Sequence, residues 1–238
     1  MQGKFLSFLV QTTAAQRVLE IGCFTGYSAL CLANGLSPDG SLITCDIDMD
    51  TMAFAQKFFC QSSRADQITA VNQDGLEFLK SLSTRPEPFD LIFVDANKRK
   101  YREYYDLILE HQLLHPSGLL VFDNTLFRGR VAAYANGLAS NKERIARALA
   151  EFNTYVMQDP RTSQVVLPLW DGLTLLLRLL CSTQRAASEE DGFVAHCEHV
   201  AGPDTGLFDG AGGGGGGERD DGNETEELHG TELLGGAG

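Results

Sequence analysis

The sequence predicts an α/β protein: a seven-stranded, mostly parallel sheet with helices on both faces and an antiparallel C-terminal hairpin. From residue 17 to residue 178, short apolar runs rich in β-branched residues alternate with amphipathic segments, as in a sheet wound with helices. Runs such as residues 91–94, Leu-Ile-Phe-Val, are apolar throughout, which is typical of strands buried on both faces. The last two runs are separated only by residues 168–172, a spacing that suits a hairpin at the sheet edge.

The individual elements follow in order along the chain. The first ten residues are expected to be part of a helix, because they lack the small-residue cleavage signal of a signal peptide. Pro-Asp-Gly at residues 38–40 and Pro-Ser-Gly at residues 116–118 are turn signals just before strands. Strands are predicted at residues 18–21, 42–45, 68–71, 89–94, 119–122, 165–167 and 173–179. Helices are predicted at residues 28–36, 52–62, 76–82 and 101–114.

Composition divides the chain into two parts. Residues 1–182 carry 17 Lys and Arg against 19 Asp and Glu, whereas residues 183–238 carry 2 against 13 and include the glycine run 212–217. The second part has too few large apolar side chains to offset the chain entropy lost on folding. The sequence therefore predicts one folded domain, residues 1–182, followed by a disordered, acidic, glycine-rich tail, residues 183–238.

Charge and cysteine content exclude several classes of protein. Neither part has the basic surface expected of a nucleic-acid-binding protein. No run reaches the roughly 20 apolar residues of a membrane span. The six cysteines form no CxxC pair and no zinc-site pattern, which indicates reduced thiols in a cytoplasmic protein.

A glycine-rich turn follows the first strand, in the segment Glu20-Ile-Gly-Cys-Phe-Thr-Gly26. Such a turn at the carboxyl end of a strand lets the backbone approach a ligand closely. Phe24 occupies the place of the second glycine of the dinucleotide pattern, where its bulk would obstruct a pyrophosphate. The turn therefore favours a cofactor without phosphates, for which S-adenosylmethionine is the common choice, although a purely structural turn is the alternative.

Carboxylates end the second and third strands. Asp46 lies about 20 residues beyond the glycine turn, where a carboxylate can bind both ribose hydroxyls of a cofactor. Asp48, two positions later, is more simply explained as the cap of the next helix. Asp74 is placed either to accept a hydrogen bond from an adenine amino group or to cap the following helix, and the sequence does not decide between these roles.

Oxygen ligands end the fourth and fifth strands, which a parallel sheet brings close together. Asp95, Asp123 and Asn124 would supply hard oxygen donors and leave positions for water and substrate, which suits Mg²⁺. Lys98 follows Asp95 by three positions, and near a cation its amine is a candidate general base. The alternatives are strand-end acids that only cap helices and a solvated charge at Lys98.

These segments together resemble the cation-dependent caffeoyl-CoA and catechol O-methyltransferase family over about residues 2–180. The specific matches are Leu19-Glu-Ile-Gly-Cys-Phe-Thr-Gly-Tyr-Ser28, Phe89-Asp-Leu-Ile-Phe-Val-Asp-Ala-Asn-Lys98, Asp123-Asn-Thr-Leu126 and Leu167-Pro-Leu-Trp-Asp-Gly172. The resemblance implies a Rossmann-like class I methyltransferase fold and a homodimer. It implies Glu20, Gly22, Ser28 and Asp46 around the cofactor, a metal site of Asp95, Asp123 and Asn124, and Lys98 beside the reacting oxygen. With Phe24, Asp74 and Asp95 added, these residues make up the expected cofactor site.

The sequence departs from the family pattern at a few places. Members usually have more helices before Gly3, and Gln73 and Trp170 stand where the family usually has glycine. The expected reaction is methyl transfer to one hydroxyl of a phenolic, catechol-like or caffeoyl-type vicinal diol. Three alternatives remain: the same fold acting on another acceptor such as a hydroxylated tRNA base, a cofactor-binding protein without activity, and an NAD-dependent oxidoreductase, which Phe24 disfavours.

Overall fold

The computed structural model describes residues 1–82, 87–138 and 143–179. These residues contain the apolar runs and motifs on which the fold prediction depends. The predicted tail, residues 183–238, lies outside the described residues and stays a prediction.

Seven strands form one sheet in the order β3-β2-β1-β4-β5-β7-β6 within the described residues. Neighbouring strands from β3 to β5 are parallel, and β7 is antiparallel to both β5 and β6. Because the chain order reverses at β1, a crevice opens at the carboxyl ends of β1 and its neighbours. The strands are β1 Arg17–Ile21, β2 Ser41–Asp46, β3 Ile68–Asn72, β4 Phe89–Val94, β5 Leu114–Asp123, β6 Thr162–Leu167 and β7 Leu173–Arg178.

Helices cover both faces of this sheet, as predicted. On one face α1, α2 and α3 bury apolar side chains against the strands, and on the other α4, α5 and α7 do so. The helices are α1 Gln2–Thr12, α2 Tyr27–Gly35, α3 Met49–Phe59, α4 Gly75–Leu82, α5 Tyr101–Glu110, α6 Arg130–Ala135 and α7 Arg144–Gln158. The two cores explain why β1 and β4 carry apolar side chains in both directions, and the predicted fold class is confirmed.

The structure differs from the predicted elements around the fifth strand. Helix α5 ends at Glu110 rather than at residue 114, because Gln112 adopts a left-handed conformation with φ 53°. The carbonyl of Leu113 then accepts a hydrogen bond from the Phe89 amide at 2.7 Å, so the chain has already turned into β5. The turn signal at residues 116–118 falls inside β5, where the pairing with β4 shifts register.

Two helices were not predicted from the sequence. Helix α6 has only six residues, too few for an amphipathic period to be visible. Helix α7 buries Ala146, Leu149, Phe152 and Val156 at intervals of three and four, which is the period of a helix that packs on one face. Within the described residues no helix is long and apolar enough to cross a membrane.

Candidate active site

Two adjoining cavities lie at the carboxyl ends of the parallel strands. The larger cavity, of about 450 Å³, includes Asp46, Asp74 and Tyr104 in its lining. The smaller cavity, of about 170 Å³, includes Ser28, Phe93 and Asp123. Gly22, Phe24 and Asp95 line both. One elongated ligand could therefore occupy the larger cavity and extend past Gly22 into the smaller one.

Gly22 permits the close backbone approach at the junction of the cavities. Its φ is +98°, and a Cβ at this position would lie 2.4 Å from the carbonyl oxygen of Asp95. The Gly22 amide donates to the Cys45 carbonyl at 2.9 Å, and the Asp95 amide donates to the Ile21 carbonyl at 2.8 Å. These hydrogen bonds fix the turn between β2 and β4. Because the turn cannot move to make room for a Cβ, only glycine fits where the predicted cofactor turn begins.

Phe24 contributes its backbone rather than a buried ring to this turn. Its φ is 48°, and its side chain is 67% exposed. The Phe24 amide donates to Asp46 Oδ2 at 2.8 Å. This hydrogen bond joins the glycine turn after β1 to the carboxylate that ends β2. It holds the two predicted cofactor residues, Phe24 and Asp46, next to each other.

The structure gives Asp46 and Asp48 different positions. Asp46 lines the larger cavity and also accepts hydrogen bonds from two backbone amides. Asp48 caps α3, since the Thr51 amide donates to its Oδ1 at 2.8 Å, and its side chain is exposed. Asp46 is therefore the carboxylate that can meet a ligand, and Asp48 has the helix-capping role.

Asp74 has the helix-capping role considered for it, and it also lines the larger cavity. Its Oδ1 accepts hydrogen bonds from the amides of Leu76 at 2.9 Å and Glu77 at 3.2 Å, at the start of α4. The same residue lines the larger cavity. Capping thus fixes its carboxylate at the cavity wall.

Glu20 is buried below the cofactor turn. Its Oε2 accepts a hydrogen bond from Thr44 Oγ1 at 2.5 Å, whereas its Oε1 has no hydrogen-bond partner among the described residues. Burial raises the pKa of Glu20 to about 8, an effect that the Ser28 and Thr44 hydroxyls only partly offset. An acceptor oxygen that is buried without a partner is costly in a native fold, but Glu20 is fully buried and lines neither cavity.

Asp95 and Asp123 lie at the smaller cavity, as the pairing of β4 with β5 predicts. Asp123 is nearly fully buried, and its pKa is raised to about 6, first by burial and then by the negative charge of Asp95. Lys98 forms an ion pair with Asp95 and lowers the pKa of Asp123 in turn. Two carboxylates that repel each other in a partly dry site are a suitable donor set for a small hard cation.

Asn124 and Lys98 stand at the edge of this carboxylate pair rather than in the cavity lining. Asn124 adopts φ 58°, and its backbone amide donates to Asp123 Oδ1 at 2.7 Å. The Lys98 side chain is only 16% exposed, and its Nζ lies 5.5 Å from the centre of the Tyr101 ring.

The described part of the chain contains no cluster of three His, Cys, Asp or Glu side chains arranged to hold a metal. A cation site would therefore need the side-chain amide oxygen of Asn124 as a third donor.

Some site residues were not found from the sequence. Gln2, on the first turn of α1, donates from Nε2 to Asp123 Oδ2 at 2.5 Å. The Tyr101 hydroxyl donates to the backbone carbonyl of Asp123 at 2.8 Å. Tyr104 and Asn97 line the larger cavity. No sequence signal connects Gln2 to a residue 121 positions away.

Most of the described chain is similar to known proteins. The sequence model of the O-methyltransferase family matches residues 1–179. A caffeoyl-CoA O-methyltransferase of Populus kitakamiensis is 33% identical over 182 residues, covering 75% of this chain and 76% of that protein.

Two solved structures with bound ligands share the fold. The O-methyltransferase TomG of Streptomyces achromogenes, in complex with SAM, has a TM-score of 0.67 and 29% identity over 75% of this chain and 80% of that chain. An O-methyltransferase of Bacillus cereus, in complex with SAH, has a TM-score of 0.66 and 28% identity over the same shares, 75% and 80%. Each of these neighbours was solved with the methyl donor or its demethylated product.

Proposed function

This chain belongs to the O-methyltransferase family, and on that premise we propose that it methylates one hydroxyl of a phenolic vicinal diol of the catechol or caffeoyl type. The methyl donor is S-adenosylmethionine, and the reaction depends on a divalent cation, for which we propose Mg²⁺. One observation carries the proposal: Asp95 and Asp123 face the end of a cavity that continues the cofactor crevice, with Lys98 paired to Asp95.

We assign the cofactor halves to the two cavities. The adenosine half would lie in the larger cavity, with Asp46 accepting from the ribose hydroxyls and Asp74 from the adenine amino group. The methionine half would lie in the smaller cavity, near Gly22, Ser28 and Asp95. These assignments are supported by the cavity linings.

The acceptor end of the site is assigned to the ligands that follow β4 and β5. Asp95, Asp123 and Asn124 would hold the cation, which when bound would lower the pKa of a diol hydroxyl and orient the diol. Lys98 Nζ can accept the hydroxyl proton only as a neutral amine, so its ammonium must first release Asp95 and give up a proton to solvent, which a cation held by Asp95 would favour by charge repulsion. The resulting oxyanion attacks the methyl carbon in line with the S–CH₃ bond, which breaks as the O–CH₃ bond forms, and S-adenosylhomocysteine leaves as a neutral thioether. The positioning of donor and acceptor therefore supplies much of the acceleration.

A radiolabelled S-adenosylmethionine assay with a panel of catechols tests this proposal. A phenol with a pKa near 10 is mostly neutral at pH 7, and the proposed cation would lower that pKa. Chelator should therefore abolish methylation, and Mg²⁺ should restore it. Asp123→Ala should remain inactive at ordinary Mg²⁺ concentrations, and Lys98→Ala should lower turnover by roughly 10²–10⁴-fold with cofactor affinity preserved. Raising the pH should partly rescue Lys98→Ala but not Asp123→Ala, because solvent can replace a base but not a ligand.

Several outcomes would overturn parts of the assignment. Full activity in chelator would exclude the cation, and loss of cofactor binding in Lys98→Ala would place Lys98 in the cofactor site. Cofactor binding without methylation of any catechol would point to another acceptor or to a protein without activity. The three outcomes therefore test the role of the cation, the role of Lys98 as base and the identity of the acceptor separately.

We also propose a homodimer that acts on small molecules in the cytoplasm and not on nucleic acid or membranes. The described cysteines, Cys23, Cys31, Cys45 and Cys60, are free, which supports a reducing compartment. The edge formed by β6 and β7 leaves Val165 57% and Leu177 51% exposed, and Trp170 lies beside it with 46% of its surface exposed. Exposed apolar side chains in one region are typical of a protein–protein contact.

Sedimentation velocity tests the proposed dimer. Wild-type protein at micromolar concentration should sediment as a dimer, and the double variant Val165→Lys with Leu177→Lys should shift toward the monomer. Met157→Lys is the control, since Met157 is 64% exposed on α7, outside this edge. A wild-type monomer, or equal dissociation in the control, would exclude this edge as the interface.

A further inference from the structure

We propose that Gln2 is a positioning residue for Asp123 and that its side-chain amide raises the affinity of the site for a divalent cation. The inference rests on the proposed cation dependence. It adds a residue from the first helix, which lies far in sequence from the strand-end motifs. The observation behind it is the hydrogen bond from Gln2 Nε2 to Asp123 Oδ2.

The first turn of α1 is fixed over the smaller cavity by its packing on α2. A Cβ at Gly3 would lie 2.5 Å from Cys31 Sγ and 2.6 Å from the Tyr27 hydroxyl oxygen, so glycine permits this close approach. One turn later, Ser7 Oγ donates to the Cys31 carbonyl at 2.6 Å. Because both contacts hold α1 against α2, Gln2 is placed at the cavity lining together with Gly3 and Leu6.

The carboxylate of Asp123 is oriented through both of its oxygens. Oδ2 accepts from Gln2 Nε2 at 2.5 Å, and Oδ1 accepts from the Asn124 amide at 2.7 Å. An ionised carboxylate has about four acceptor positions, so each oxygen keeps one for another partner. The two hydrogen bonds therefore restrict rotation of the carboxylate without using up its capacity to bind a cation.

A neutral donor suits this position better than a charged one. The negative charge of Asp95 acts on Asp123 and disfavours two ionised carboxylates side by side. An unrestrained Asp123 carboxylate would rotate to reduce this repulsion, which would separate the two ligand oxygens. The Gln2 amide opposes that rotation and, unlike a lysine ammonium, adds no positive charge that would repel a cation.

The expected size of the effect follows from hydrogen-bonding partners of metal ligands in general. Loss of such a partner typically lowers metal affinity by about 10–100-fold. Gln2→Met keeps the length and approximate volume of the side chain but removes the donor. We therefore expect Gln2→Met to weaken Mn²⁺ binding by about 10–100-fold, while the affinity for S-adenosylhomocysteine stays within about twofold.

The test uses the full-length chain and two readouts. Free Mn²⁺ is measured by electron paramagnetic resonance during titration, and S-adenosylhomocysteine binding is measured by calorimetry in chelator. In steady-state assays the apparent KM for Mg²⁺ should rise with the Mn²⁺ dissociation constant, whereas kcat at saturating Mg²⁺ should stay close to wild type. Gln11→Met is the matched control, because Gln11 is exposed near the other end of the same helix.

The outcomes separate this proposal from the one on which it rests. If wild type binds no Mn²⁺, the cation dependence fails and the role of Gln2 fails with it. If wild type binds Mn²⁺ and Gln2→Met binds it equally well, only the role of Gln2 is overturned. Parallel loss of Mn²⁺ and S-adenosylhomocysteine binding would mean that Gln2 only stabilises the helix, which also overturns it. Should Gln2→Met not fold, Gln2→Asn decides, since its amide is shorter by one methylene and should show the same selective loss.

Discussion

Asp46 and Asp48 show how two acids that are two positions apart acquire different roles. The carboxylate of Asp46 lines the larger cavity, and the carboxylate of Asp48 closes the first turn of α3. In the sequence both residues follow the same strand, and their spacing favours Asp46 for a ribose and Asp48 for a helix cap. The direction of each side chain decides between them, and that direction depends on where β2 ends.

Replacing each of these acids should therefore have a different consequence. Asp46→Ala should weaken S-adenosylmethionine binding by about 1–3 kcal/mol, the cost of losing a hydrogen bond to a charged group. Asp48→Ala should leave that affinity unchanged and lower the free energy of unfolding through loss of the helix cap. Calorimetric titration and urea unfolding of both variants provide the comparison, and unchanged affinity in folded Asp46→Ala would rule out its proposed role.

The buried Glu20 carboxyl predicts a pH dependence of stability in the absence of cofactor. Burial raises its pKa from 4.5 to about 8, so the folded state binds a proton that the unfolded state has lost between these values. The stabilising contribution is complete below pH 4.5 and is lost as the pH rises through 8, with a slope of at most about 1.4 kcal/mol per pH unit. Glu20→Gln cannot ionise, so its stability relative to wild type should increase across this range.

Urea unfolding at several pH values between 5 and 9 measures this difference. Glu110→Gln serves as the control, because Glu110 is exposed at the end of α5. A constant difference in free energy of unfolding between wild type and Glu20→Gln at all pH values would contradict the expectation.

At the scale of single residues, the sequence could identify the site acids but not all of their partners. Glu20, Asp46, Asp95 and Asp123 follow strands at regular places, so a motif and a period are enough to locate them. Gln2 and Tyr101 reach Asp123 through packing of α1 and α5 on the sheet. Contacts of that kind depend on tertiary structure, for which local spacing holds no information.

At the scale of elements, buried strands were easier to predict than the segments after them. β1, β4 and the core of β5 are continuous apolar runs, and their predicted positions agree with the structure to within a residue or two at most ends. The predicted end of α5 was wrong because Gln112 adopts a left-handed conformation, which glutamine does not indicate in a sequence.

Trp170 also adopts a left-handed conformation, with φ 52°, at a position where the family usually has glycine. Its ring centre lies 5.5 Å from that of Phe5 on α1, a contact available only after the fold has formed.

At the scale of the whole molecule, the described core is complete by the end of β7. Leu173 and Leu176 of β7 are fully buried, one in each of the two cores. We expect removal of residues 183–238 to leave the melting temperature and turnover nearly unchanged, because that segment is strongly acidic and poor in large apolar residues. Differential scanning calorimetry of full-length and shortened protein checks this, and a drop of several degrees would show that the segment packs on the domain.

The antiparallel strand β7 also constrains when this protein can fold. It pairs with β5 on one side and β6 on the other, yet it is the last strand of the described chain. While a ribosome is still making the chain, β5 and β6 lack their shared neighbour, and β5 presents an unpaired edge. Productive folding must therefore wait until residue 178 has left the exit tunnel. During that interval, nascent chains on one polysome are exposed to mispairing with each other, so slow synthesis before β7 would favour aggregation.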